Sequence, residues 1–317
     1  MNTRFAVLFL MIMIASGLPA QEDEPQYPRF TADAGTLFVV GSTNEIVYAS
    51  GQTDTKLSEL VWPIPVSLGA WSSFRMQWSS RFETMVRLQT AFPLATGTMT
   101  DDDWNITDSD GNLLSRVHSD SEALLMANWK LRLEFAVPFP SDGVRWKLLG
   151  GFDYQHLAWE AWNPKQTATL ASTGQGYSVS LTGLGIAFHQ EWILPYVGGG
   201  IGYRWNGTDW EWGLRLSPYP VDIQTDAHVL RGLTFNERLQ GGFSFEPSLS
   251  LAWPITSSWA VTVNASYLGV FGLRGDEVVS YNGDQAGTGA PLFYGFTGGA
   301  GSALQEFSLG VGLKANL

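Results

Sequence analysis

The chain has 317 residues, no cysteine and a formal net charge of −12, and 44% of its residues are hydrophobic. The absence of cysteine excludes a disulfide framework, a thiol nucleophile and a lipid anchor on cysteine, and the acidic charge argues against nucleic acid as a partner. The 14 Trp, 10 Tyr and 18 Phe in a chain of moderate polarity are typical of a transmembrane β-barrel and not of a helical membrane protein.

The first predicted element is a secretory signal peptide at residues 1–20. It has a basic residue at Arg4, an apolar centre and small residues leading to Ala20. Its apolar run is too short to span a bilayer, because a membrane helix takes roughly 20 apolar residues. We expect residues 21–34 to be a periplasmic N-terminal segment and residues 35–317 to form one outer-membrane β-barrel domain.

Most of the remaining chain alternates between apolar and polar residues, as strands do when one face lies in lipid and the other in a polar lumen. The last segment is the clearest case, because every second residue from Phe307 to Leu317 is apolar. A soluble β-sandwich also alternates, but its turns should recur every 8–12 residues, and a segment such as 121–139 runs well past that. The predicted fold class is therefore all-β, a transmembrane antiparallel β-barrel of about ten long strands with an extended extracellular rim.

The predicted strands and connections follow from this pattern. The strands lie near residues 36–50, 56–74, 78–104, 121–139, 144–162, 184–206, 208–218, 232–254, 257–272 and 302–317. An even number of strands places both termini in the periplasm. The predicted periplasmic turns are at Ser73, 140–143, 206–208 and 256–258, and the predicted outer loops are 95–121, 160–180, 217–233 and 270–302.

Two acidic motifs fall on the outer side of this barrel. One runs from Asp101 to Trp104, and the other runs from Asp226 to His228. In an extended segment residues i and i+2 share a face, so Asp101 and Asp103 lie side by side, and so do Asp226 and His228. Each motif therefore presents two ionisable groups next to each other.

The phase of the alternation predicts where these groups point. Counting along the preceding strand places both acids of the first motif in the lumen. If alternate residues point to opposite faces, counting back from the outward-facing Phe243 places the second motif inward, together with Arg238. Counting forward from the outward-facing Trp210 places the same motif outward. Pro218 and Pro220 predict a loss of phase between the two counts. We therefore expect the second motif to face inward.

These four groups could activate water without a covalent intermediate. A carboxylate beside an imidazole holds one tautomer and stabilises the protonated form, which makes His228 a candidate general base oriented by Asp226. Two neighbouring carboxylates do not both ionise easily, so Asp101 and Asp103 should titrate as a coupled pair with one of them protonated above its normal range. That pair could position water and bind a substrate carbonyl.

The order of these motifs resembles the omptins, the outer-membrane endoproteases of Gram-negative bacteria. Omptins carry an Asp-x-Asp-Trp run, as at Asp101 to Trp104, and an Asp-x-His pair, as at Asp226 and His228. The segment from Leu194 to Trp205 is similar to the sixth omptin strand, and Leu57 to Trp62 and Gly312 to Lys314 are similar as well. Each piece alone is a weak signal, but all of them in order make a strong one.

The resemblance implies an aspartic-type endopeptidase whose active site faces the cell exterior. Peptide bonds would be hydrolysed by water activated between the Asp226–His228 pair and the Asp101–Asp103 couple, with no cofactor and no metal. Glu45 matches the acidic residue with which omptins recognise a basic side chain. The expected partners are a basic peptide or protein substrate and outer-membrane lipid, with no nucleic acid, and we expect a monomer.

The chain also departs from the family pattern. The second acidic specificity residue of omptins is Gln224 here, and the acidic residue expected after Asn128 is Trp129. The stretch from Phe152 to His156 lacks the basic side chains with which omptins hold lipopolysaccharide. A histidine that omptins have near the site is matched by His118 with a shift of one residue.

Three other interpretations stay open at this level. One is a catalytically inactive adhesin or recognition barrel, motivated by the departures at Gln224 and Trp129. Another is a small channel that prefers cations, although side chains in a ten-stranded barrel would largely fill the lumen. The third is a metal site, since Asp and His are suitable ligands and Asp108 to Gly111 comes close to a calcium-loop pattern.

Overall fold

The structure is a computed structural model that describes residues 27–49, 55–107, 113–141, 143–281 and 293–317. The predicted signal peptide and the stretch from Asp108 to Gly111 lie outside the described residues. The fourteen described β-segments, in chain order, are β1 (Arg29–Tyr48), β2 (Lys56–Ser79), β3 (Phe82–Pro93), β4 (Gly97–Thr107), β5 (Leu113–Ser141), β6 (Val144–Leu170), β7 (Gly176–Ser180), β8 (Leu184–Trp205), β9 (Thr208–Ser217), β10 (Val221–His228), β11 (Leu233–Gln240), β12 (Phe243–Pro254), β13 (Trp259–Tyr281) and β14 (Phe293–Asn316). The one described helix is the three-residue 3₁₀ turn Val229–Arg231, so none of the described helices could span a membrane.

These segments build a closed antiparallel barrel. β3 with β4, β9 with β10 and β11 with β12 each form one long strand with a short interruption, and β7 prolongs the hairpin of β6 and β8. The described chain therefore contains ten long strands. The last strand pairs with the first from Thr31 opposite Asn316 to Val47 opposite Ala300, which closes the ring. The predicted fold class is confirmed.

The outer face of the lower barrel is apolar, as a lipid-facing surface requires. Large side chains such as Phe38, Val86, Leu148, Leu214 and Val311 stand exposed there. In an ordinary soluble protein so many exposed apolar side chains would form an aggregation-prone patch. Here they form a belt around the barrel.

The lumen at the same level is filled by buried ion pairs. Arg132 donates through Nε to Asp153 over 2.7 Å and also pairs with Glu246. Lys130 donates to Glu306 over 2.9 Å. These groups are all at most 8% exposed. Each of these charges has a partner of opposite sign, which offsets the cost of burying it.

Two breaks in the strands change which residues point inward. In β9 the even-numbered Trp212 and Leu214 are exposed, whereas in β10 the even-numbered Asp222 and Gln224 are buried. The predicted loss of phase between Pro218 and Pro220 is therefore present. A second change falls between β11 and β12, at a glycine pair with φ of 87° and 63° that L-residues rarely adopt.

The phase change at Gly241 and Gly242 makes one prediction wrong. Counting through it without a phase change had placed Arg238 inward. In the structure Arg238 is exposed and its neighbour Glu237 is buried at 3% exposure.

The tight turns agree with the sequence at some points and differ at others. Asn206 and Gly207 have φ of 48° and 77°, as in the type I′ hairpin that an Asn-Gly pair favours. The turn predicted at Ser73 is wrong, because β2 continues to Ser79. Ser73 is instead a buried residue of the inner face, and its hydroxyl donates to Asp33 Oδ2 over 3.1 Å.

The strands are also longer than predicted. Most of residues 95–121, expected as an outer loop, lies in β4 and β5. Polar residues there alternate on strands that rise above the lipid belt, so their polarity does not signal a loop. At the other end β1 begins at Arg29, and residues 29–34, expected in the periplasmic segment, are paired with β2.

Candidate active site

The two acidic motifs lie on strands far apart in the ring. Asp101 on β4 is aligned with Leu60 of β2 and Ser119 of β5. Asp226 on β10 is aligned with Phe188 of β8 and Phe235 of β11. Both motifs lie above the lipid belt, on strands that form the rim of the barrel.

Asp226 and His228 form a buried hydrogen-bonded pair, with 1% and 8% of their surfaces exposed. His228 Nε2 and Asp226 Oδ2 are 2.8 Å apart. A carboxylate only accepts hydrogen bonds, so Nε2 of the neutral imidazole carries the proton and Nδ1 keeps its lone pair. Arg231 Nη1 lies 3.5 Å from that Nδ1.

The surroundings of His228 act on its basicity in opposite directions. Burial lowers the pKa of the imidazole, because it disfavours the charged form, but the charge and hydrogen bond of Asp226 outweigh this and raise it. The net pKa lies above the ordinary value. A nearby carboxylate thus makes His228 a stronger base than a free histidine.

Asp101 and Asp103 face the second motif. Burial and then the charge of Asp103 raise the pKa of Asp101 to about 7, and the charges of His228 and Asp226 also act on it. The two motifs therefore lie within electrostatic range of each other. Burial raises the pKa of Asp103 as well, opposed by a hydrogen bond from Ser58.

Glu45 lies near the Asp226–His228 pair. It is 2% exposed on β1 and aligned with Leu60, which is also aligned with Asp101, and the charge of Asp226 acts on its carboxyl group. Burial, followed by the charge of Asp226, raises the pKa of Glu45 well above its usual range.

An aromatic cluster lies beside these groups. The rings of Trp62 and Phe188 stack with centroids 4.9 Å apart, and Trp159 lies 5.7 Å from Phe188. All three side chains are at most 1% exposed. Since Phe188 is aligned with both Asp226 and Trp159, this cluster lies at the same height as the Asp226–His228 pair on the inner face of the barrel.

Two buried acids near the site were not identified from the sequence. Glu237 on β11 and Glu277 on β13 are aligned with each other, and each is 3% exposed. Glu237 is also aligned with Gln224 of β10. The alternation signal could have found Glu237 only if the phase change at Gly241 and Gly242 had been recognised.

Two residues that the sequence associated with the site lie elsewhere. His118 is aligned with Asp102, on the face opposite to Asp101, and its Nδ1 lies 2.9 Å from Asp102 Oδ1. Trp129 is 37% exposed on the outer face, where its ring lies 5.1 Å from that of Tyr154. The acid expected near Trp129 would therefore not reach the cleft, because that position faces outward.

Among the described residues, no group of three or more His, Asp or Glu side chains has the arrangement of a metal site. The candidate groups at the rim are instead linked to each other by hydrogen bonds and charge.

The model of the Omptin family matches residues 27–317 of the chain. The chain belongs to the omptin family. Its sequence is 23% identical over 251 residues to the plasminogen activator of Yersinia pestis, which covers 75% of each chain. Its fold is similar to the crystal structure of the outer membrane protease OmpT from Escherichia coli, with a TM-score of 0.80, 16% identity, and coverage of 96% of this chain and 100% of that chain.

Membership in this family establishes the cellular setting of the site. An omptin is a β-barrel protease of the outer membrane, and its active site opens to the cell exterior. The rim that carries Asp101 and Asp226 is the end of the barrel opposite Arg29 and Asn316. The apolar belt below it lies in the outer membrane.

Proposed function

We propose that this omptin is an endopeptidase that hydrolyses peptide bonds beside basic residues with water activated between Asp226–His228 and Asp101–Asp103. The observation that supports this most is the buried 2.8 Å contact of His228 Nε2 with Asp226, facing a carboxyl group whose pKa is about 7. One side of the cleft thus holds an imidazole whose pKa Asp226 raises. The other side holds a carboxyl group that is partly protonated near neutral pH.

In the proposed reaction His228 Nδ1 takes a proton from water as the water attacks the peptide carbonyl. Asp226 holds the imidazole by Nε2 and stabilises the imidazolium that forms. The protonated member of the Asp101–Asp103 pair donates to the carbonyl oxygen, where negative charge develops. The imidazolium then gives its proton to the leaving amine, and the C–N bond breaks.

Glu45 supports a preference for a basic residue, since it adds a buried carboxyl group directly beside Asp226. The net charge of −12 adds long-range attraction for cationic substrates. We further propose that the enzyme acts as a monomer surrounded by outer-membrane lipid, because one chain supplies every group of the site.

The two alternative functions have less support. A passive channel would need an open path, whereas the aromatic cluster and the buried ion pairs occupy parts of the described lumen. A recognition barrel without activity would not need a hydrogen-bonded Asp-His pair opposite two acids. Neither alternative explains why the groups at the rim face one another.

The decisive test compares His228→Ala with His118→Ala in the refolded barrel, using a library of basic peptides. Loss of the general base should lower kcat by about 10²–10⁴-fold, whereas His118→Ala should retain wild-type cleavage because it faces away from the cleft. Equal cleavage by His228→Ala and wild type, or no cleavage by wild type, would refute the proposal.

A further inference from the structure

The turn that joins β10 to β11 carries a cationic side chain that has no role in the proposed chemistry. His228 is aligned with Leu233, so only residues 229–232 lie between the two strands. Gly232 ends the turn with φ of 63°, a conformation that glycine adopts without strain. This short turn fixes the place where the side chain of Arg231 leaves the backbone, directly before that glycine.

Arg231 lies at the nitrogen of His228 that the proposed reaction uses. Its Nη1 is 3.5 Å from His228 Nδ1, whereas the other ring nitrogen, Nε2, contacts Asp226 over 2.8 Å. The imidazole also packs against the ring of Phe235, with centroids 5.0 Å apart. Because Asp226 and Phe235 hold the imidazole in place, the guanidinium lies at the edge of the ring where a water would give up its proton.

The contact between Arg231 and His228 is weak. Its length of 3.5 Å exceeds the usual range of about 2.7–3.2 Å for an N–H donor. Arg231 is exposed to solvent, whereas His228 is buried. A guanidinium is always charged and carries five N–H donors, so Arg231 can turn to a better acceptor at little cost.

The same guanidinium acts on the opposite motif as well. Its charge opposes the rise in the pKa of Asp101 and of Asp103 that burial causes. At His228 its charge acts in the same direction as burial and against Asp226. Arg231 is therefore within electrostatic range of both sides of the cleft, and the peptide carbonyl would lie between those sides.

Proton transfer to His228 changes what Arg231 can contact. Once Nδ1 has taken the proton, it has no lone pair and is itself a donor. The imidazolium then repels the guanidinium, because two like charges lie close together. In the same step the water oxygen bonds to the carbonyl carbon, and an electron pair of the C=O bond moves to the carbonyl oxygen. That oxyanion is the new acceptor nearest to the displaced guanidinium.

We propose that Arg231 is a catalytic residue that donates hydrogen bonds to the oxyanion of the tetrahedral intermediate. The inference rests on the proposed endopeptidase function. Arg231 acts together with the protonated carboxyl group of the Asp101–Asp103 pair and transfers no proton itself. Its effect falls on the transition state, since the negative charge is absent from the bound substrate.

The first test compares Arg231→Gln and Arg231→Lys with wild type on a fluorogenic basic peptide, each at its own optimal pH. Loss of one donor to the oxyanion should lower kcat by about 10²-fold in Arg231→Gln with little change in KM. Arg231→Lys should recover part of this loss, because it keeps the charge without the planar fork. Arg116→Gln is the matched control and should keep wild-type kcat, since Arg116 is an exposed arginine of the same rim that pairs with Asp102.

The pH profile reports on the contact at Nδ1. The charged groups around His228 are Asp226 on its own strand, Arg231 on the turn, Asp101 and Asp103 on β4, and Glu277 on β13. Removing the cation while these acids remain should raise the pKa of His228. The acidic limb should therefore move to higher pH in Arg231→Gln and stay in place in Arg231→Lys. An unmoved limb in Arg231→Gln would overturn the placement of Arg231 at the general base.

A binding measurement avoids turnover. The probes are a peptide phosphinate, whose tetrahedral centre is anionic, and the matching ketomethylene peptide, which is neutral and not cleavable. In calorimetric titrations Arg231→Gln should weaken phosphinate binding by at least about tenfold and ketomethylene binding by less than about threefold. Equal weakening of both would mean that Arg231 holds the substrate and not the oxyanion, which overturns the proposal.

The outcomes separate the two proposals. If wild type cleaves no basic peptide, the endopeptidase proposal fails and the role of Arg231 fails with it. If wild type cleaves the peptide and Arg231→Gln keeps kcat within about threefold with unchanged phosphinate binding, the role of Arg231 is overturned and the endopeptidase stands.

Discussion

Replacing Asp226 by asparagine should test the site most directly, because it keeps the shape of the side chain and removes its charge. In wild type the carboxylate accepts a hydrogen bond from His228 Nε2 over 2.8 Å, and both groups are buried. A hydrogen bond to a charged group contributes about 1.5–3 kcal/mol, which corresponds to roughly 10–150-fold in rate. The asparagine amide can also donate to Nε2, which moves the imidazole proton to Nδ1 and removes the base from the cleft.

Together these effects should lower kcat by on the order of 10²–10⁴-fold. The assay is the steady-state cleavage of a fluorogenic basic peptide by the refolded barrel across a range of pH. The control is Asp120→Asn, whose carboxylate lies on the same rim with 52% of its side chain exposed. It should keep wild-type activity.

The pH profile adds a second criterion. Asp226 raises the pKa of His228, and the base works only when deprotonated, so wild-type activity should increase with pH through that raised pKa. In Asp226→Asn the residual activity should begin at lower pH, because the imidazolium has lost its stabilising charge. A folded variant with activity within threefold of wild type, or with an unshifted acidic limb, would refute the orienting role of Asp226.

Three further predictions concern stability. The pKa of Asp101 in the folded protein is raised to about 7, so its contribution to stability is complete below its unfolded pKa and is lost as the pH rises through 7. The unfolding temperature of Asp101→Asn, relative to that of wild type, should therefore increase from about pH 4 to about pH 8. A difference that stayed constant with pH would contradict this. Arg132→Met leaves Asp153 buried without its partner and leaves Glu246 with Arg215 alone, so it should destabilise the barrel by about 3–5 kcal/mol in urea titrations in detergent; a loss below about 1 kcal/mol would mean that water replaces the arginine. Trp62→Ala removes a ring of the aromatic cluster and should cost about 3–5 kcal/mol by the same titration, with Trp78→Ala on the exposed belt as the control; equal losses for both would argue against tight packing of the cluster beside the site.

The sequence by itself was sufficient for the fold class and for the two motifs. Alternation with period two is a local property of each strand, so Phe307 to Leu317 indicates a lipid-facing strand without reference to any other part of the chain. The side-by-side placement of Asp101 and Asp103, and of Asp226 and His228, follows from the same local geometry. The Asn206-Gly207 turn could also be predicted from the sequence, because only a few residue types adopt its backbone conformation.

Only the tertiary structure decided which groups meet across the ring and on which face they lie. The breaks at Pro218 to Pro220 and at Gly241 to Gly242 each reverse the inward face, so a count along the chain placed Arg238 inside where Glu237 belongs. Ser73 shows the same limit, since a lumenal serine and a turn serine look alike in sequence. Glu45, Glu237 and Glu277 join the Asp226–His228 pair through strand register around a closed barrel, and register depends on pairings between residues that are far apart in the chain.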